Sequence, residues 1–202
     1  MIDEDDHFYG RKAVFLDRDG TINEDHGYIY RSCDFVLLPG VVDALRILQE
    51  MGYLLIVITN QSGIARGYYS ESDYKVLSEY SRDLLARNNV FLTDEFYCPH
   101  LPNAKIKEYC LDCKCRKPRT GMFEEATDKY NIVYAKSYAI GDRIRDCSIC
   151  FNTECSGFLV GETENEEIIE KVKAGTYSRI AYAPDLLTCA MSIRNKVCEK
   201  EE

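Results

Sequence analysis

A chain of 202 residues, 46% of them hydrophobic, can bury one good core without demanding two domains. Its formal net charge of −9 argues against a polynucleotide partner, because phosphate backbones are held by clustered Lys and Arg, but leaves room for an anionic small substrate beside a few local cations. The acidic N-terminus MIDEDDHFYGRK lacks the apolar core of a signal or transit peptide, and the longest apolar run, YLLIVI over 53–58, is far too short to cross a membrane. A cytoplasmic protein with no membrane or nucleic-acid partner is therefore expected, and a monomer is the default expectation, although nothing in the sequence fixes the oligomeric state. In a reducing compartment its ten cysteines read as metal ligands where they cluster and as small buried hydrophobes where they scatter.

In chain order, KAVFLD (12–17) is an apolar run ending in acid and predicts a strand buried on both faces; LLIVIT (54–59), ending in a hydroxyl, predicts another. Between them Val41, Ala44, Leu45 and Leu48 recur at helical spacing, with Pro39 before and Gly52 after. A second helix starts at Ser70, whose hydroxyl can cap it with Asp73 three residues on, and runs to about Asn88. EFYC (95–98), a helix from about Met122 to Tyr130, SYAI (137–140), GFLV (157–160) and RIAYA (179–183) follow, and Leu186, Ala190, Ile193 and Val197 line a last helix. No repeat or linker interrupts this pattern, so one domain over 1–202 is expected, its charged ends (1–10 and 198–202) frayed. Strands alternating with helices imply a doubly wound parallel α/β sheet, whose ligands bind outside the carboxyl ends of the strands. Those ends carry Asp17, Thr59 and Asp142.

Each of these residues has a bland reading alone. Asp17 and Asp19 in DRDGT can cap a turn, Asn60-Gln61-Ser62-Gly63 can be an ordinary turn, and Lys117 a solvated charge. Their order along one sheet edge points to a shared site. Asp17-x-Asp19-Gly20-Thr21, Thr59, Lys117 and Gly141-Asp142-x-x-x-Asp146 together resemble the haloacid dehalogenase-like phosphatases over roughly residues 12–160. FLDRDGTIN, DHGY (25–28), TNQSGIARG (59–67), CPH and CxCRKP narrow the resemblance to the heptose bisphosphate phosphatase branch, next to the histidinol-phosphate phosphatases.

The resemblance implies a Mg²⁺-dependent phosphatase that removes the C7 phosphate of a heptose 1,7-bisphosphate, in the making of nucleotide-activated heptose for bacterial surface polysaccharide. Asp17 would be the nucleophile, forming an aspartyl-phosphate, and Asp19 the general acid and base. Asp17, Asp142 and the backbone carbonyl of Asp19 would hold Mg²⁺, with Asp146 in support. Thr59, Asn60 and Lys117 would hold the phosphoryl oxygens, and Gln61, Ser62 and the loop Asp25, His26, Gly27, Tyr28 would touch substrate. Arg116 would meet the phosphate that is not cleaved. Arg143 stands where that branch has Lys, which keeps charge but not geometry.

Cys98-x-His100 and Cys113-x-Cys115 offer three thiolates and an imidazole, a common closed set for structural Zn²⁺, although the spacing alone leaves buried or reactive thiols open. The same arrangement in the resembling branch favours zinc. Cys110 is then spare, and Cys33, Cys147, Cys150, Cys155, Cys189 and Cys198 are core or incidental thiols; His7 sits in the tail. No insertion is long enough for a large cap domain, so the site should be open, shielded by loops that include the zinc loop (98–115). A zinc-stabilised module on an inactive phosphatase fold is the alternative from another class, and the intact Asp17 and Asp19 argue against it.

Overall fold

The computed structural model describes residues 10–162 and 164–201, the last four by backbone alone. His7, the side chain of Cys198 and the acidic N-terminal tail lie outside the described residues. Six strands, β1 (Ala13–Leu16), β2 (Leu54–Asn60), β3 (Asp94–Cys98), β4 (Tyr138–Gly141), β5 (Ser156–Val160) and β6 (Ile180–Ala183), form one sheet in the order β3-β2-β1-β4-β5-β6. Every pairing is parallel, with Val14 opposite Leu55 on one side and Tyr138 on the other. Successive strands therefore run outward from β1 in both directions, and the crevice of such a sheet opens where the order reverses, between β1 and β4.

Both faces of the sheet are covered, which is why its strands read as unbroken apolar runs. Val14 and Leu16 of β1 face a cluster built with Val41, Ala44, Leu45 and Leu48 of helix α1 (Val41–Glu50). Ala13 and Phe15, pointing the other way, meet a second cluster with Met122, Phe123 and Ala126 from the helix Gly121–Tyr130. The capped helix Glu71–Ala86 is as expected: Ser70 Oγ accepts from Asp73 N at 3.1 Å, and the Asp73 carboxylate accepts Ser70 N at 2.8 Å.

In chain order the helices are α1, α2 (Ser62–Arg66), α3 (Glu71–Ala86), α4 (Gly121–Tyr130), α5 (Glu166–Lys173) and α6 (Leu186–Glu201). Two of these, α2 and α5, are not legible in the sequence pattern. The last runs on into 198–201, where a frayed end was expected. Cys147, Cys150, Cys155 and Cys189 are buried in the core, whereas Cys33 and Cys110 are exposed.

Candidate active site

Asp17 leaves β1 with its N–H donated to Ile140 O at 2.9 Å, which ties the end of β1 to β4 at the crevice. Three residues on, Gly20 takes φ +83°, and a Cβ there would lie 2.5 Å from Asp142 Oδ2; the DRDGT turn needs glycine for both reasons. Lys117 arrives from the long β3–α4 connection and is itself buried. Its Nζ donates to Asp17 Oδ1 at 2.8 Å and to Ile58 O at 2.6 Å, and pairs with Asp146 Oδ1 at 2.7 Å. Asp146 Oδ2 in turn accepts Arg143 N at 2.9 Å.

Asp17, Asp142 and Asp146 offer carboxylate oxygens within 4.8 Å of one another, with Lys117 the one buried cation among them and Arg143 and Arg145 reaching Asp142 and Asp146 only at 3.6 and 3.9 Å from the more exposed side. Burial, helped by the charge of Asp146, pushes Asp17 up to about 6 against the opposing pull of Lys117. Burial, then the charges of Asp17 and Asp146, push Asp142 up to about 8. Burial alone would lower Lys117, but Asp146 and Asp17 hold it above the usual lysine range. A crowded set of hard, buried oxygens fits a magnesium-like ion. Asp146, already committed to Lys117 and Arg143, is the least free of the three.

On the other side of the crevice the Asp19 carboxylate accepts from Arg18, whose Nη2 lies 3.0 and 2.9 Å from its two oxygens, from Asn23 Nδ2 at 3.0 Å and from Gln61 Nε2 at 3.1 Å. The Asn60 amide is taken up by the backbone of Lys117. Its Nδ2 donates to Lys117 O and its Oδ1 accepts Lys117 N, both at 3.0 Å, so it brackets the backbone that carries the lysine.

The second donor set lies on the same connection. The three sulfurs of Cys98, Cys113 and Cys115 are 3.1 to 3.4 Å apart, and His100 Nδ1 is 3.7 Å from Cys98 Sγ and 3.4 Å from Cys115 Sγ. Zn–S bonds of about 2.3 Å give a tetrahedron with edges of about 3.7 Å, so this set is gathered at near coordination distance and fits zinc. Cys110 stays outside it, as expected.

A cavity of about 380 Å³ opens over the crevice, lined by Asp17, Asp19, Thr59, Lys117 and Asp142 at its floor. Asp25, Gly27, Tyr28, Asn60, Gln61, Ser62, Arg116 and Arg143 also reach it, Asn60 and Gln61 with their amides already bonded within the protein. His26 does not: it turns outward to pair with Glu24 Oε2 at 2.8 Å. Two arginines that sequence reasoning missed, Arg66 and Arg145, join the wall. Both lie inside motifs quoted above, TNQSGIARG and Asp142-x-x-x-Asp146, where the one available signal is a cation within the motif. Burial chiefly, with like charge from Arg145 and Arg66, brings Arg116 below the usual guanidinium range, the thiol of Cys98 working the other way.

A doubly wound sheet with Asp-x-Asp after its first strand and a buried lysine and aspartates beside it defines a class, the haloacid dehalogenase-like phosphatases. A family model described as polynucleotide kinase 3 phosphatase matches residues 12–145, and one described as HAD-hydrolase-like matches residues 114–187. Over 138 residues, 68% of this chain and 75% of the relative, the chain is 50% identical to the D-glycero-beta-D-manno-heptose-1,7-bisphosphate 7-phosphatase of Haemophilus ducreyi. It is 48% identical over 134 residues, 66% and 70% of the two lengths, to the protein of the same name from Escherichia coli O6:H1. The solved D,D-heptose 1,7-bisphosphate phosphatase from B. bronchiseptica, complexed with magnesium and phosphate, matches with a TM-score of 0.77 and 28% identity, covering 92% of this chain and 99% of that one. The chain belongs to the family of these heptose bisphosphate phosphatases.

Proposed function

We propose that this chain removes the C7 phosphate from D-glycero-D-manno-heptose 1,7-bisphosphate through an aspartyl-phosphate. The observation that carries the reading is the buried Asp17–Lys117–Asp146 bridge beside Asp142, at the floor of a cavity whose wall holds Arg66, Arg116 and Arg145. One end suits phosphoryl transfer and the other a second anion. Relatives near 50% identity carrying that name support it. The net charge of −9 speaks against a polynucleotide substrate.

In the first step an Asp17 carboxylate oxygen attacks phosphorus while the bond from phosphorus to the C7 oxygen breaks. The electron pair of that bond goes to the sugar oxygen, which takes a proton from Asp19. Water then attacks the aspartyl-phosphate and gives its proton to Asp19. The bond from phosphorus to Asp17 breaks, which restores the carboxylate and releases inorganic phosphate. Lys117 holds Asp17 in place and sets positive charge beside the phosphoryl group, and Thr59 donates to it. Asp17, Asp142 and the backbone carbonyl of Asp19 would hold Mg²⁺, which when bound offsets the charge that repels the nucleophile. Cys98, His100, Cys113 and Cys115 would hold a structural Zn²⁺ that, with four protein ligands, leaves no position for water and fixes the loop carrying Arg116 and Lys117. The chain would work as a single domain and a cytosolic monomer, its product feeding nucleotide-activated heptose for surface polysaccharide.

Phosphate release across a panel of sugar phosphates and histidinol phosphate tests the reading. A specificity constant for the heptose bisphosphate at least about 10²-fold above that for histidinol phosphate is expected, since a site built for a second anion has nothing to offer a cation. Equal or better turnover of histidinol phosphate would overturn it.

A further inference from the structure

The side chain of Gln61, expected among the substrate contacts, is fully occupied within the protein and almost wholly buried, at 2% exposure. A primary amide has two N–H protons and one carbonyl oxygen. Nε2 donates to Asp19 Oδ2 at 3.1 Å and to Thr59 Oγ1 at 2.9 Å, while Oε1 accepts from Tyr69 Oη at 2.6 Å. The reverse orientation would set the carbonyl against the Asp19 carboxylate, oxygen to oxygen. The Asp19 carboxylate, which only accepts, and the Arg18 guanidinium, which only donates and whose Nη2 lies 3.5 Å from Oε1, decide between the two. The ring of Tyr69 is itself fixed, stacked on Tyr30 with centroids 5.2 Å apart and pressed so close to Gly63 that a Cβ there would lie 2.2 Å from Cε1.

Two consequences follow for the groups that the mechanism uses. Asp19 is held between the guanidinium of Arg18 and the amide of Gln61, so its carboxylate plane cannot rotate freely. The Thr59 hydroxyl, having accepted from Gln61, keeps its own proton for a partner on the cavity side. One amide thus aligns both the acid/base and a phosphoryl donor.

We propose that Gln61, held by Tyr69, is a positioning residue for phosphoryl transfer: it orients Asp19 for proton exchange with the leaving group and Thr59 toward the phosphoryl oxygens, without touching substrate. The inference rests on Asp19 being the acid/base, as set out under the proposed function. The test compares Gln61→Leu and Tyr69→Phe with the unmodified chain on two substrates: the heptose bisphosphate, whose sugar oxygen must leave with a proton, and p-nitrophenyl phosphate, whose nitrophenolate leaves without one. Gln61→Leu should lower kcat on the sugar phosphate about 10²-fold with KM within about threefold, and should lower kcat on the aryl ester by roughly tenfold less. Tyr69→Phe loses one oxygen while keeping the ring against Gly63. It should fold even if Gln61→Leu does not, and should move kcat on the sugar phosphate the same way by about five- to tenfold. In an Asp19→Asn background, Gln61→Leu should hardly change the sugar-to-aryl ratio further, because the two residues act as a unit. A rise in KM on both substrates at unchanged kcat would make Gln61 a direct phosphate ligand and overturn the proposal, as would fully multiplicative losses in the double variant. Equal slowing of both esters by Asp19→Asn alone would remove the acid/base reading, and the inference with it.

Discussion

At the scale of single residues, the floor of the site is defined by three crowded acids and one buried lysine. Asp142, pushed up to about 8, and Asp17, pushed up to about 6, both sit above their ordinary value of 3.8, chiefly through burial. The fold therefore binds these protons more tightly than the unfolded chain does, and stability falls as pH rises from the unfolded value through the folded one. Lys117, raised from an already high value, stays charged throughout and does not alter the sign. Metal-free protein should accordingly melt at a lower temperature at pH 8 than at pH 6. Mg²⁺, which must displace these protons, should raise Tm more at pH 8. Thermal melts in chelator and in excess Mg²⁺ check this, and Asp142→Asn should flatten both dependences. A metal-free Tm that climbs from pH 6 to pH 8 would contradict it.

At the scale of elements, the connection between β3 and α4 carries both the thiol cluster and Lys117, so its order and the site's order are one property. Apparent zinc binding of about 10 to 16 kcal/mol in small sites far exceeds the cost of ordering such a loop. Cys113→Ser should lower zinc content and activity together, whereas the exposed Cys110→Ser should change neither; elemental analysis beside turnover checks both, and full zinc in a Cys98/Cys113 double variant would show the ligands to be wrong. The elements that pattern reveals are those whose burial is lopsided or complete: β1, β2, α1 with its four buried positions, and the capped α3. Helix α5 is hidden because EEIIEKVK buries only Ile169 and Val172 in a charged stretch, and α2 because five residues, SGIAR, are too few to show a period. In the site, Asp17, Asp19, Thr59, Lys117 and Asp142 are legible from strand-end position and motif order. What Asn60 and Gln61 do is not, since an amide's partners depend on elements far apart in sequence: Asn60 turns to Lys117, and Gln61 to Asp19 and Tyr69.

At the scale of the whole molecule, a net charge of −9 coexists with a cavity wall bearing Arg66, Arg116, Arg143 and Arg145, so the cations are concentrated where an anionic substrate enters. Arg116, anchored through His100 O at 3.2 Å to the thiol-cluster loop, is the member best placed to link that loop to substrate choice. Arg116→Ala should erode most of the preference for a bisphosphate over histidinol phosphate while sparing slow hydrolysis of small monophosphates, read as the ratio of specificity constants; an unchanged ratio would place the second anion elsewhere. All of this turns on Asp17 as nucleophile. The most direct test is phosphate release from the heptose bisphosphate by purified Asp17→Asn with Mg²⁺ present: the account predicts turnover at background and no acid-stable phosphoryl-enzyme, and near-normal turnover by that variant would contradict it.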